Sequence, residues 1–199
     1  MRLVLASASP ARLRVLRAAG LSPEVVVSGI DEDAVSGTPE QIALSLAGYK
    51  AEAVAATLNG SAVVVGCDTV LDLNGEAMGK PSSEADATAR WRRLRGQTGN
   101  LLTGHCVIRT DTGQQARAMA STAVTFGQPS DAEIAMYIST GEPLLVAGGF
   151  TIDGLGGWFV DRLDGDHTNV IGISLPTLRR LLAGMDLPLT LLWRPLSSP

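Results

Sequence analysis

An aspartate ends the continuous apolar run Ala62–Cys67, whose valines predict a buried central strand. Ligands of open α/β sheets bind beyond the carboxyl ends of the strands. A carboxylate at such a place is costly to bury unless it meets a cation, a metal ion or hydrogen-bond donors. Asp68 is therefore a candidate site residue, and an ordinary turn aspartate is the alternative.

The chain has only two lysines, Lys50 and Lys80, so the other 14 of its 16 basic residues are arginines. In a sequence shifted this far towards arginine, a retained lysine indicates a need for a compact ammonium, for example in a tight phosphate pocket. Lys50 lies within a predicted helix, and Lys80 is held between Gly79 and Pro81. Chance survival and ordinary surface lysines are the alternatives.

An arginine stands at the start of the first predicted helix. Ser9 is a good N-cap and Pro10 suits the first helical position, so Arg12 falls in the first turn. The helix dipole is already positive at that end. The position of Arg12 is therefore unfavourable unless an anion binds there, with Ser7 close by.

Two further stretches could take part in a site. Asp31–Asp33 is an acidic cluster that, together with Asp68, would suit a hard divalent cation bound through oxygen, and solvated loop acids are the alternative. Residues 147–157 are dense in glycine but match neither a P-loop nor a GxGxxG motif. They predict either tight turns or a backbone wall beside a flat base.

Alternating strand-like and helix-like stretches predict an α/β fold. Asn74-Gly75 and Asp111–Gly113 indicate two hairpins. The helix that starts at Thr38 has a predicted apolar stripe of Ile42, Leu46, Tyr49, Ala53 and Ala56. The predicted strands are 2–6, 24–28, 62–67, 70–73, 104–109, 116–126, 150–152 and 158–163, and the predicted helices are 10–20, 38–58, 83–95, 130–140 and 174–182. We expect a frayed tail at Ser197–Pro199.

Composition excludes several classes of protein. The net charge of −4 disfavours a nucleic-acid-binding protein, and the basic helix face around Arg90–Arg95 is more simply a solvated face. No apolar run approaches the roughly 20 residues of a membrane span. The largely apolar stretch at residues 2–6 is too short for a signal peptide, so we expect a cytoplasmic protein. Cys67 and Cys106 are isolated, which predicts buried thiols rather than a zinc site. His105 and His167 form no Ser-His-Asp pattern.

Taken together, these stretches resemble the Maf family of nucleoside triphosphate pyrophosphatases, first associated with septum formation in bacteria. The resemblance spans nearly the whole chain, which we treat as one domain, 1–199. It rests on LASASPARL at 5–13, DED at 31–33, GYKAEAVA at 48–55, GCDTVLDLNGEAMGKP at 66–81, YISTGEP at 137–143, AGGFTIDGLGGWFV at 147–160 and NVIGISLPTL at 169–178.

The resemblance implies an elongated mixed sheet in two lobes with a central cleft, flanked by helices. It implies hydrolysis of a nucleoside triphosphate between the α and β phosphates with Mg²⁺ or Mn²⁺, removal of modified nucleotides, a link to cell-division arrest, and homodimers in many members. A non-catalytic nucleotide-binding regulator of septum formation is the alternative. The implied site residues are Asp68 as general base, Glu32 and Asp68 as metal contacts, Ser7, Arg12, Lys50 and Lys80 on the phosphates, and Thr69 and Asp153 at the base.

The sequence also departs from the family pattern at two positions. Ala11 stands where the opening motif of the dTTP/UTP group has an arginine, and Asp153 stands where that group has a glutamine. The 7-methyl-GTP group has a glutamine where this chain has Thr69. The base preference of neither group can therefore be transferred to this chain.

Overall fold

A computed structural model describes residues 1–193, so the predicted frayed tail at Ser197–Pro199 lies outside the described part. Within it, seven strands form one mixed sheet. Six of them follow the order β2-β1-β3-β5-β6-β7, and β4 pairs with the far end of β3, along the same edge as β1. The strands are β1 (Arg2–Leu5), β2 (Glu24–Val25), β3 (Ala62–Leu73), β4 (Glu76–Met78), β5 (Thr98–Arg109), β6 (Gln115–Phe126) and β7 (Val160–Asp164).

Local capping signals set the starts of the helices. Ser9, Thr38, Ser83 and Ser130 each accept a hydrogen bond from the backbone of the first turn, as their positions predict. The helices are α1 (Pro10–Ala18), α2 (Pro39–Ala55), α3 (Glu84–Leu94), α4 (Asp131–Ser139), α5 (His167–Ile171) and α6 (Leu175–Ala183). Among residues 1–193, no helix has both the length and the apolar character needed to cross a membrane.

The edge of β3 has a gap in its strand pairing. β1 runs parallel to β3 as far as the pair Leu5 and Val65, and β4 pairs with β3 only from Leu71 onward. Between these two partners, residues 66–70 of β3 pair with β5 on one side and with no described strand on the other. The carboxyl end of β1 opens into this gap, which is where an α/β sheet offers a binding crevice.

One face of the sheet carries two separate apolar cores. The first core lies under α1 and α6 and includes Leu5, Leu16 and Leu178. The second lies under α3 and α4, where Trp91 makes edge contacts with Phe126, Tyr137 and Phe159 at centroid distances of 5.4–5.8 Å. These two cores agree with the predicted two-lobed α/β fold.

The opposite face is covered by α2, and of the predicted apolar stripe of this helix only Leu46 is buried. Tyr49 is 48% exposed, and the buried face is rotated towards smaller residues. The helix lies so close to the sheet that a Cβ on Gly66 would come within 2.3 Å of the Ala47 carbonyl oxygen. Large side chains cannot fit between surfaces this close. The buried residues of α2 are Pro39, Ala43, Leu46, Ala47, Gly48, Lys50, Ala51 and Val54.

Four other predictions of elements also need correction. The strand predicted to stop at Cys67 continues without a break to Leu73, so Asp68 lies in the middle of β3 and not beyond its carboxyl end. Only Glu24–Val25 of the predicted strand 24–28 pairs, because β2 is a short edge strand. Residues 150–152 are not a strand but follow 3-10 turns, and the next strand begins at Val160 after the turn Leu155–Phe159. The segment His167–Ile171, for which no element was predicted, is helical, because Asp166 caps its N-terminus and Gly172 ends it with φ +119°.

Candidate functional site

The gap beside β3 brings together residues from both faces of the sheet. Consecutive residues of a strand point to opposite faces. Asp68 accordingly contacts Lys50 of α2 on one face, and Thr69 contacts Arg12 of α1 on the other. Ser7, directly beyond β1, contacts Arg12 as well. Glu32 contacts Lys50 too, so six of the eight predicted site residues meet at one place.

Lys50 is the centre of a charged cluster. Its side chain is only 7% exposed, so it is not the surface lysine that was one alternative. Nζ lies 2.6 Å from Oδ1 of Asp68 and 2.7 Å from Oε1 of Glu32. An ammonium has three N–H donors, so one of them is left for a further acceptor.

The two carboxylates of this cluster differ in acidity because they differ in burial. Burial raises the pKa of Asp68, and the charges of Lys50 and Arg12 only partly offset this. Partial burial also acts to raise the pKa of Glu32, but the hydrogen bond and charge of Lys50, together with the charges of Lys80 and Arg12, outweigh it, and the pKa is lowered. Asp68 is thus the better proton acceptor of the two, and Glu32 the more persistent anion.

Arg12 is fixed by neutral acceptors on three sides. Nε donates to the Gly172 carbonyl oxygen at 2.8 Å, Nη1 to Oγ of Ser7 at 2.8 Å, and Nη2 to Oγ1 of Thr69 at 3.0 Å. These bonds use three of the five N–H donors of a guanidinium. One donor on Nη1 and one on Nη2 have no partner among residues 1–193, and they suit an anion with two acceptor oxygens.

Lys80 lies in an exposed turn after β4. The turn is fixed because the Gly79 carbonyl oxygen accepts hydrogen bonds from Arg90 Nη1 at 2.9 Å and from the Gly148 backbone at 3.1 Å. The charge of Lys80 contributes to the lowered pKa of Glu32. Lys80 therefore acts electrostatically on the cluster without a direct contact to it.

Asp153 lies on the glycine-rich segment and forms an ion pair with Arg14 of α1 at 3.0 Å. The segment is built around the carboxylate of Glu142, which sequence reasoning did not single out. Glu142 accepts hydrogen bonds from the Tyr137 and Thr151 hydroxyls and from the backbone of Leu155 and Gly156. The glycines of this turn are explained by that close packing, and a role of Asp153 or Thr69 at a base stays a prediction.

The oxygen donors needed for a divalent cation are present. Glu32 and Asp68 each use one carboxylate oxygen on Lys50, and no described residue bonds to the other oxygen of either. Residues 1–193 contain no group of three or more His, Cys, Asp or Glu residues placed to hold a metal. Mg²⁺ typically takes one or two protein carboxylates and completes its shell with water and phosphate oxygens. The pair therefore fits a cation that arrives with a phosphate ligand.

Several buried polar residues near Arg12 were missed by sequence reasoning. Thr103, His105 and Thr122 are fully buried on the face of the sheet that carries Thr69. Burial lowers the pKa of His105 to about 4, so the ring is neutral at neutral pH. The alternation of Thr103 and His105 within an apolar strand was the available signal, because a polar residue facing a core needs a partner.

The predicted basic face of α3 is neutralised by neighbouring acids. Arg90 pairs with Asp86 and Arg93 with Glu76, whereas Arg92 and Arg95 both pair with Asp131. These pairs favour the interpretation of a solvated face.

Known proteins match the chain along nearly its whole length. The family model described as Maf-like protein matches residues 2–185. A nucleoside triphosphate pyrophosphatase from Streptomyces coelicolor is 58% identical over 197 residues, covering 98% of this chain and 95% of that protein. One from Mycobacterium sp. (strain JLS) is 48% identical over 205 residues, covering 96% and 98%. A crystal structure of a nucleoside-triphosphatase / dITP/XTP pyrophosphatase from Mycobacterium abscessus aligns with 65% of this chain and 76% of that one at 14% identity, but its TM-score of 0.39 supports no conclusion. The match to the family model and the identity to these two relatives establish that the chain belongs to the Maf family.

Proposed function

We propose that this chain hydrolyses nucleoside triphosphates between the α and β phosphates to a nucleoside monophosphate and pyrophosphate. One observation carries the proposal: the buried Lys50 ammonium holds Asp68 and Glu32 beside an Arg12 that is already oriented for an anion. The names of the relatives support the same reaction. Phosphoryl transfer needs mainly this kind of positioning and electrostatic stabilisation.

In this proposal the phosphates bind to donors that the structure leaves without partners. Arg12 offers one N–H on each of Nη1 and Nη2, Lys50 offers its third N–H, and Lys80 lies in its exposed turn close to Glu32. Ser7 accepts hydrogen bonds from Arg12 and from the Ser9 backbone, which leaves its own O–H to donate. The N-terminus of α1 adds a favourable dipole for an anion.

Asp68 is the general base of the proposed reaction. It takes a proton from water while the water oxygen forms a bond to the α phosphorus, and the bond from that phosphorus to the bridging oxygen breaks and releases pyrophosphate. The raised pKa of Asp68 makes its carboxylate a stronger base than an exposed aspartate. Buried in the gap, Asp68 is also held in one orientation by Lys50.

The proposal includes a divalent cation and a role for the base-side residues. Glu32 and Asp68 would hold Mg²⁺ or Mn²⁺, which neutralises phosphate charge when bound. Thr69 and Asp153 are proposed to contact the base of a standard or modified nucleotide. A cytoplasmic location, a homodimer and an effect on septum formation stay predictions from the sequence.

The replacement Asp68→Asn tests the reaction. It keeps the shape of the side chain, so nucleotide binding should be retained while turnover falls by about 10²–10⁴-fold, the usual worth of a general base. The assay incubates the protein with Mg²⁺ and each of ATP, GTP, CTP, UTP and dTTP, and measures pyrophosphate together with the nucleotide product.

Asp72→Asn is the matched control for this test. Asp72 lies on β3 four residues further along, where, among residues 1–193, its carboxylate accepts only from the Gly75 backbone in the hairpin turn. It should turn over at the wild-type rate. Near wild-type turnover by Asp68→Asn would show that Asp68 is not the general base. Nucleotide binding by the wild-type protein with no pyrophosphate released from any nucleotide would favour the non-catalytic regulator.

A further inference from the structure

A belt of buried polar side chains crosses the sheet between its two apolar cores. Thr103, His105 and Thr122 are each 0% exposed and lie between the first and the second core. Burying polar groups in this way is unfavourable unless each one is hydrogen-bonded. The partners that these side chains have outside the strands all lie in one segment, residues 166–174, which includes α5.

The belt fixes this segment at both ends and in the middle. Nε2 of His105 accepts from the Ser174 backbone N–H at 2.8 Å, while Nδ1 bonds to the Thr103 carbonyl oxygen at 3.0 Å. Oγ1 of Thr122 donates to the Asp166 carbonyl oxygen at 3.0 Å. It also accepts from the Asp166 backbone N–H and from the Asn169 side chain, each at 3.1 Å.

The segment held in this way binds Arg12. Gly172 ends α5 with φ +119°, a conformation that favours glycine, and its carbonyl oxygen accepts from Nε of Arg12 at 2.8 Å. A Cβ on Gly172 would lie 3.3 Å from that Nε, so the turn packs directly on the guanidinium. The position of the turn therefore sets the position of Arg12.

A second route from the belt to Arg12 runs through hydroxyl groups. Nη2 of Arg12 donates to Thr69, the Thr69 and Thr103 hydroxyls lie 3.1 Å apart, and Thr103 donates to the Asn169 carbonyl oxygen at 3.3 Å. With Thr69 donating to Thr103, each of the two hydroxyl groups in this chain both receives and gives one hydrogen bond. Such chains polarise one another and favour one arrangement.

From these contacts we infer that Thr103, His105 and Thr122 are positioning residues of the phosphate site, which hold Arg12 so that its two remaining donors point to the ligand. The inference rests on the proposed function, because it assumes that Arg12 binds phosphate. None of the three belt side chains needs to touch the ligand. Their effect is to supply the orientation of Arg12 before binding, which lowers the cost of ordering it in the complex.

The test compares two threonines on the same strand. Thr103→Val removes the belt hydroxyl at constant shape, and Thr103→Ser retains it. Thr98→Val is the matched control, since the Thr98 hydroxyl also bonds across β5 and β6, to Thr125 at 3.0 Å, but at an exposed place outside the belt. His105→Gln removes the ring from the other end of the belt and serves as the second variant if Thr103→Val does not fold.

Two quantities are measured. The first is the affinity for tripolyphosphate, a ligand without a nucleotide base, by calorimetry. The second is kcat/KM for the nucleotide that the wild-type protein turns over fastest. Each variant is made alone and in an Arg12→Ala background. Thr103→Val should lower the tripolyphosphate affinity and kcat/KM by roughly 10-fold to 100-fold, in the range of a 1 Å misplacement. Both quantities should stay within about 2-fold of wild type in Thr103→Ser and Thr98→Val. In the Arg12→Ala background Thr103→Val should have no further effect, because its route to the ligand is gone.

The inference is overturned if Thr103→Val behaves like Thr98→Val, or if its effect is as large without Arg12 as with it. The second result would mean that the belt merely supports the fold. A wild-type protein that binds tripolyphosphate but releases no pyrophosphate from any nucleotide overturns the proposed function instead, while the binding data still test the positioning of Arg12.

Discussion

A single methyl group on the sheet should disturb the charged cluster from a distance. A Cβ on Gly104 of β5 would lie 2.2 Å from the Ala43 carbonyl oxygen and 2.5 Å from its carbon, both backbone atoms of α2. Ordinary contact begins near 3.4 Å, so Gly104→Ala requires α2 to move by about 1 Å. Lys50 lies two turns further along the same helix, on the same face.

The displacement should impair catalysis in a protein that still folds. Lys50 and Asp68 are 2.6 Å apart, so a shift of about 1 Å breaks their hydrogen bond or pulls Asp68 out of position. Misplacement on this scale lowers rates by about 10²-fold, whereas overpacking lowers the free energy of unfolding by about 1–3 kcal/mol. We therefore expect a folded variant with kcat/KM reduced by about 10²-fold.

Steady-state kinetics and thermal unfolding of Gly104→Ala, with Gly99→Ala as control, check this prediction. A Cβ on Gly99 of the same strand would meet the Leu71 side chain at 3.0 Å and the Asp72 carbonyl oxygen at 3.1 Å, contacts that a small adjustment relieves. The control should therefore stay close to wild type. If Gly104→Ala is folded and keeps kcat/KM within about 3-fold of wild type, close packing of α2 does not position Lys50 and the reasoning is refuted.

Two further predictions concern the lysines. Lys50→Met removes a charge that lowers the pKa of Asp68, so the acid limb of the pH profile of residual kcat/KM should move to higher pH. Lys80→Met has no such effect on Asp68 and should leave the acid limb in place. An unmoved acid limb in Lys50→Met contradicts the role of Asp68 as general base. Lys50→Arg should lower kcat/KM by about 10²-fold or more, because a guanidinium does not fit between two carboxylates that lie 2.6 and 2.7 Å from Nζ of Lys50. Lys80→Arg, in its exposed turn, should lower kcat/KM less. Equal kinetics in the two arginine variants would show that burial does not distinguish the lysines.

The elements that sequence predicted well are those set by neighbours in the chain. Ser9 and Thr38 begin their helices as predicted because a cap bonds to a backbone N–H three residues away. Asn74 and Gly75 form the predicted hairpin turn because both adopt positive φ. Each of these signals is contained within a few residues, so it can be read without knowledge of the fold.

The features that sequence missed depend on contacts between distant parts of the chain. The buried face of α2 could not be predicted from apolar spacing alone, because it is selected by Gly66 and Gly104 on the strands beneath. The carbonyl partner of Arg12 lies 160 residues away at Gly172. The types of the site residues were predictable, but the bonds that orient them were not.

The dipeptide Asp68-Thr69 shows why the site lies at the gap in the sheet. Adjacent strand residues face opposite sides, so Asp68 joins the cluster under α2 while Thr69 joins the groups that hold Arg12. Had β1 or β4 extended along residues 66–70, its backbone would separate the two sides. Because the edge of β3 is open there, a ligand with several phosphates can reach Lys50 and Arg12 at the same time. The gap between β1 and β4 is therefore as much a part of the proposed active site as the charged residues.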